Sequence, residues 1–232
     1  MYSVEVNDLS FRYRQNGRII LRHVNMRLRE GEALAVVGLS GIGKSTLCYC
    51  ISGIIPHVYS GVLSGQVLIC GEDTRLLTLP RIATKLGVVF QNPDNQLFSP
   101  TVEDEVAFGP ENLCMPPEEI ERRVNEALAL AGIEHLRHAL PHHLSGGQKQ
   151  LVALASVLSL NPRILIFDEA MSQLDEQGKD GVKLLIRKLK AGGRTILMVE
   201  HDLSNLEVAD RVLLLQDGEL SDYRGTLIPD GG

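Results

Sequence analysis

The 232-residue chain is 44% hydrophobic, 22% charged and 4% aromatic, with no Trp, a balance that fits a globular α/β protein and excludes a disordered or disulfide-stapled secreted one. Its formal charge of −6 leaves no overall basic field for a nucleic-acid backbone, so no nucleic-acid partner is expected. Its longest apolar stretches, Ala33 to Gly38 and Leu151 to Leu160, fall far short of the roughly 20 residues that cross a bilayer.

In chain order, Met1 to Arg14 mixes polar and charged residues without the apolar centre of an export signal. The run Ala33 to Gly38 ends in a glycine loop and leads into a helix that starts at Lys44 and continues to Ile54, the order strand, phosphate loop, helix. Further strand signals stand at Val67 to Cys70, Leu86 to Phe90, Ile164 to Phe167, Thr195 to Val199 and Val212 to Leu215. Several are continuously apolar, as parallel strands buried on both faces are. Between Gln91 and Ser145 the strand signals stop, and Met115, Pro116 and Pro117 introduce a helix over Glu118 to Ala131. Helical patterns resume at Gln148 to Leu160, stopped by Asn161 and Pro162, and at Gly178 to Lys190, stopped by Gly192 and Gly193. Gly225 to Gly232 reads as a loose tail. The cysteines Cys48, Cys50, Cys70 and Cys114 lack paired CxxC spacing, so they read as reduced thiols with no zinc or redox role.

Residues Gly38, Leu39, Ser40, Gly41, Ile42, Gly43, Lys44 and Ser45 satisfy G-x-x-x-x-G-K-[ST] in the strand-to-helix setting that the motif requires. Glycines let successive N–H groups converge on phosphate oxygens, and the helix beginning at Lys44 aims its positive end at the same anion. Lys44 adds a mobile point charge, and the Ser45 hydroxyl is a hard ligand suited to Mg²⁺. The strand Ile164 to Phe167 then delivers Asp168 and Glu169 to its C-terminal end, where ligands sit in open α/β sheets. Asp168 can address Mg²⁺ through its waters, and Glu169 a water lined up behind the γ-phosphate.

Leu144, Ser145, Gly146, Gly147 and Gln148 stand directly before a strong helix and form an anion nest at its N-terminus. Here the chain resembles the ATP-binding cassette (ABC) ATPases, whose signature is LSGGQ. The resemblance covers nearly the whole length and implies ATP hydrolysis with Mg²⁺ on an α/β P-loop NTPase (RecA-like) fold. That fold has a mostly parallel sheet core, an N-terminal antiparallel β portion and an inserted helical subdomain. It places the nucleotide-binding core at residues 1–92 and 160–232 and the helical signature subdomain at 93–159. Tyr13 resembles the aromatic that stacks on adenine, Thr46 a further nucleotide contact, and Gln91 the Q-loop glutamine that also serves the metal. Ser172 to Asp175 resembles the D-loop and His201 the switch histidine. In this family the signature of one subunit caps the nucleotide held by another, so Ser145 and Gly147 are expected to serve a second cassette's ATP.

The stretches Phe90 to Phe98 and Thr101 to Gly109 resemble the ATPases of energy-coupling factor importers, which take up vitamins or transition-metal ions through separate membrane proteins. That implies a peripheral protein at the cytoplasmic face of the membrane, partnered by a second cassette and by transmembrane subunits. Asp94, Glu103, Asp104 and Glu105 are expected to dock a basic helix of the membrane partner. The chain departs from many relatives at Glu200, where Thr is common, and at Gln173; neither removes a reactive group. It stops soon after Gly225, so dimerisation is expected to rest on nucleotide or on the membrane subunits. A soluble cassette acting in DNA repair or on ribosomes is the rival, but it calls for a coiled-coil insertion, zinc pairs or a second cassette. A phosphate-loop kinase would need an acceptor pocket and lid in place of the signature.

Overall fold

The computed structural model describes residues 1–223 and Gly225; the rest of the tail expected to be loose lies outside the described residues. In order along the chain are β1 (Tyr2–Arg12), β2 (Leu21–Arg29), β3 (Ala33–Val37), α1 (Lys44–Ile51), α2 (Ile54–His57), β4 (Val62–Ile69), β5 (Glu72–Asp73), α3 (Leu79–Ala83) and β6 (Leu86–Val89). They are followed by α4 (Val102–Asn112), α5 (Pro117–Ala131), α6 (Gly146–Leu158), β7 (Ile164–Asp168), α7 (Glu176–Ala191), β8 (Thr195–Glu200), β9 (Arg211–Gln216) and β10 (Glu219–Asp222).

Strand alternation explains the layers. In β3, Leu34 and Val36 join one apolar cluster while Ala33 and Ala35 join another; Ile164 and Ile166 part from Leu165 and Phe167 in the same way. The six-stranded sheet, ordered β10-β9-β3-β8-β7-β6, is therefore covered on both faces, which is why β3, β7 and β8 are apolar at almost every position. Five of its strands, β9 through β6, run parallel, and β10 lies at one edge antiparallel to β9. One cluster includes α1 together with β1, β2 and β4, so α1 lies between the large sheet and an antiparallel sheet ordered β2-β1-β4-β5. The other cluster joins the large sheet to α4, α5, α6 and α7.

The strand signal at Val67 to Cys70 belongs to this antiparallel sheet and not to the parallel one, and Cys70 is already in a left-handed turn, φ 51°. The helix begun at Lys44 ends at Ile51 and not Ile54, because Gly53 turns left-handed and opens α2. Helix α4 went unread in the sequence. Thr101 caps it by accepting from the Asp104 N–H at 3.2 Å, but Gly109 and Pro110 near its end mask the pattern. Gly109 has a packing reason: a Cβ there would lie 3.0 Å from the Leu160 side chain.

Candidate nucleotide site

The loop after β3 is built on close approach. A Cβ at Gly38 would sit 2.6 Å from the Leu215 carbonyl oxygen, and Gly43 holds φ at +116°, conformations and clearances that only glycine supplies. Among the described residues no protein acceptor takes the backbone N–H groups of Gly41, Gly43, Lys44 or Ser45. Four donors at the mouth of one helix fit an oxyanion such as a phosphate chain.

Lys44 is buried under this loop, where its ammonium donates to the carbonyls of Gly38 at 2.8 Å and Leu39 at 3.0 Å. It also pairs with Glu169 Oε1 at 3.1 Å. Ser45, on the same turn of α1, donates to Asp168 Oδ1 at 3.0 Å. Burial pushes the Asp168 carboxyl up to about 6, with Glu169 adding to the shift and the Ser45 hydrogen bond and Lys44 opposing it. Two hard oxygens side by side in a buried setting fit Mg²⁺, whose charge would return Asp168 to the ionised form.

Asp168 is the last residue of β7, and even positions of that strand face α1, so its contact with Ser45 follows from the alternation. Glu169 leaves the strand in the left-handed region, φ 51°, with its N–H given to the Val199 carbonyl at 2.9 Å. That uncommon conformation turns its carboxylate into a junction. Besides Lys44, Glu169 receives Gln91 Nε2 at 3.3 Å and faces His201 Nδ1 at 3.2 Å. Gln91 also donates to Ser172 Oγ at 3.2 Å, linking the loop after β6 to the loop after β7. Tyr13 shares a hydroxyl hydrogen bond with Thr46 at 3.1 Å and stands edge-on to Phe11 with its ring half exposed.

Lys44, Ser45, Gln91, Asp168, Glu169 and His201 therefore converge, with Tyr13 joined through Thr46. The signature does not. Ser145 and Gln148 cap α6 reciprocally, Gln148 N–H to Ser145 Oγ at 3.3 Å and Ser145 N–H to Gln148 Oε1 at 3.0 Å. Among the described residues no hydrogen bond or ion pair ties Ser145 to Gln148 with the phosphate loop, Asp168 or Glu169. Asp175 caps α7 through the Gly178 N–H at 2.9 Å, so that helix starts at Glu176, two residues before its sequence-based start. A Cβ at Gly147 would lie 3.2 Å from the Gly178 Cα, so the signature turn and the start of α7 pack together.

The four carboxylates expected to dock a basic helix are already engaged. Asp94 pairs with Lys149 at 2.6 Å, Glu103 with Arg137 at 2.6 Å, and Asp104 accepts from the Thr101 hydroxyl at 2.6 Å. Glu105 is buried and accepts the N–H groups of Phe98 and Ser99. The same segment instead exposes two aromatics, Phe98 at 65% and Phe108 at 44%, stacked edge to face with centroids 4.6 Å apart.

The family model described as ABC transporter matches residues 21–172. The chain belongs to the ABC transporter family. This ABC cassette is 44% identical over 222 residues to a putative ABC transporter ATP-binding protein of Pyrococcus horikoshii, covering 95% of the chain and 78% of that protein. It is 42% identical over 220 residues to the energy-coupling factor transporter ATP-binding protein EcfA of Methanothermobacter thermautotrophicus, covering 94% and 69%. Against a putative ABC transporter ATP-binding protein of Methanosarcina acetivorans, 43% identical, it covers 94% of its own length but 34% of the relative's. Among solved structures, CbiO1 of Clostridium perfringens, described as part of the ABC transporter complex CbiONQ, superposes with TM-score 0.85 at 35% identity, covering 95% of this cassette and 87% of CbiO1. A bacterial ABC transporter cassette described as dimeric gives TM-score 0.79 at 28% identity, covering 96% and 100%.

Proposed function

We propose that this cassette is the ATP-hydrolysing subunit of an energy-coupling factor importer, held at the cytoplasmic face of the membrane by transmembrane partners and powering uptake of a vitamin or transition-metal ion. The observation that carries the reading is the convergence on Glu169, where one carboxylate meets Lys44, Gln91 and His201. Lys44 and the free N–H groups of the loop hold the β- and γ-phosphates, and Tyr13 offers its ring to the base. Glu169 takes the proton of the attacking water while Gln91 and His201 hold its second oxygen in place. Mg²⁺, held by Ser45, Asp168 and Gln91, would neutralise charge building on the phosphates.

The signature turn is exposed and unconnected to its own chain's phosphate loop, which supports a composite site: Ser145 and Gly147 close over the ATP held by a second cassette. EcfA in the relatives' names and the CbiONQ description of the structural neighbour support the importer class. The exposed Phe98 and Phe108 support an apolar contact with a helix of the membrane subunit. Affinity purification from membranes tests the assignment. Co-purification of a transmembrane subunit and a second cassette is expected; a chain recovered alone from membrane and soluble fractions contradicts it.

A further inference from the structure

Glu200, the last residue of β8, is 0% exposed, and so is Asn205 in the 3-10 turn Leu203–Val208. The Asn205 amide donates to Glu200 Oε2 at 3.2 Å. Their other oxygens, Glu200 Oε1 and Asn205 Oδ1, are both buried and have no hydrogen-bond partner among the described residues. Each such orphan carries an unrecovered desolvation cost, and the two stand on side chains that already touch. An ionised carboxylate can only accept, so a charged Glu200 offers Asn205 Oδ1 no donor. One proton on Oε1 would make it a donor that Asn205 Oδ1 could accept, and neither oxygen would then be an orphan.

We propose that Glu200 works as a neutral acid, joined to Asn205 by a two-bond acid–amide pair that clamps the 3-10 turn against the end of β8 and so positions His201 on the short link between strand and turn. The surroundings agree. Burial raises the Glu200 carboxyl to about 7, and Glu169 from the end of β7 and Asp202 at the start of the turn push the same way. The Asn205 hydrogen bond and Lys44 from α1 oppose them. Asp202 itself is held low by Ser204 and Lys179, so it stays anionic and repels a second charge. Deprotonation of Glu200 breaks one bond of the pair and places a new negative charge near Glu169. Glu200 is thus a positioning residue, and its role in turnover rests on the ATPase reading given above.

The test separates the two. In wild-type minus Glu200→Gln infrared difference spectra of the full chain, the carbonyl stretch of a protonated carboxylic acid is expected at pH 6 and is lost on titration to pH 9. Its absence at pH 6 overturns the proposal whether or not the chain hydrolyses ATP. In the assembled transporter, Glu200→Leu is expected to lower kcat about tenfold with KM for ATP within twofold, and Glu200→Gln to restore kcat and abolish the fall in rate above about pH 7. A Glu200→Gln variant as slow as Glu200→Leu, or one that keeps the wild-type alkaline limb, contradicts it.

Discussion

Lys44 and Glu169 share an ion pair, Nζ to Oε1 at 3.1 Å, while the other oxygen of Glu169 faces His201 at 3.2 Å. A residue of the phosphate loop and a residue just past β7 are thus joined across the space that the proposed function gives to a terminal phosphate and its attacking water. Function here depends on charge at fixed positions more than on shape.

Glu169→Gln keeps the size and hydrogen-bonding reach of the side chain but removes its basicity. Nucleotide affinity should stay within about threefold while turnover falls at least ~100-fold. Equilibrium binding of a fluorescent ATP analogue and a phosphate-release assay check the two halves.

Lys44→Met removes the buried cation that the proposed function assigns to the phosphates. Loss of a charged hydrogen bond lowers nucleotide affinity by roughly 10- to 100-fold, measurable by the same titration.

Gly146 offers a clean probe of the second subunit. A Cβ there meets nothing within 4 Å among the described residues, so Gly146→Asp should fold and bind nucleotide normally. If the signature closes over another cassette's ATP, hydrolysis falls at least ~10-fold; unchanged hydrolysis would remove the composite site.

Asp168 carries a cost. Its folded value of about 6 lies above the ordinary 3.8, so between those values the folded state holds the extra proton and stability falls as pH rises, levelling off above about 6. Asp168→Asn lacks that penalty. The variant should be more stable than wild type at pH 8 by about 1–3 kcal/mol, with the gap closing toward pH 4, and should lose Mg²⁺-dependent ATP binding. Urea denaturation at the two pH values reads the difference.

Phe98 is largely exposed and stacks edge to face on Phe108. Phe98→Ala should leave nucleotide binding unchanged and weaken recovery of the transmembrane subunit in affinity purification; full recovery argues against an apolar dock.

Much of this was legible in the residues, for identifiable reasons. The phosphate loop and the pair Asp168 and Glu169 could be read because buried parallel strands are apolar throughout and stop at the chemistry. The strands β1 and β2 did not show, since bulges at Asp8 and His23, both with positive φ, break the two-residue period on which a strand signal depends. The acids Asp94, Glu103, Asp104 and Glu105 read as one free cluster, because sequence distance hides Lys149, which pairs with Asp94, and Arg137, which pairs with Glu103. Glu200 looked like a harmless departure; only its burial beside Asn205 reveals two oxygens in need of one proton.

The most direct measurement is the mass of Glu169→Gln in solution by analytical ultracentrifugation, with and without Mg²⁺ and ATP. A shift from monomer to dimer on adding ATP, abolished by adding Gly146→Asp, is the result a shared catalytic seam requires. A species that stays monomeric at saturating ATP, alongside full turnover by the wild-type monomer, would contradict it.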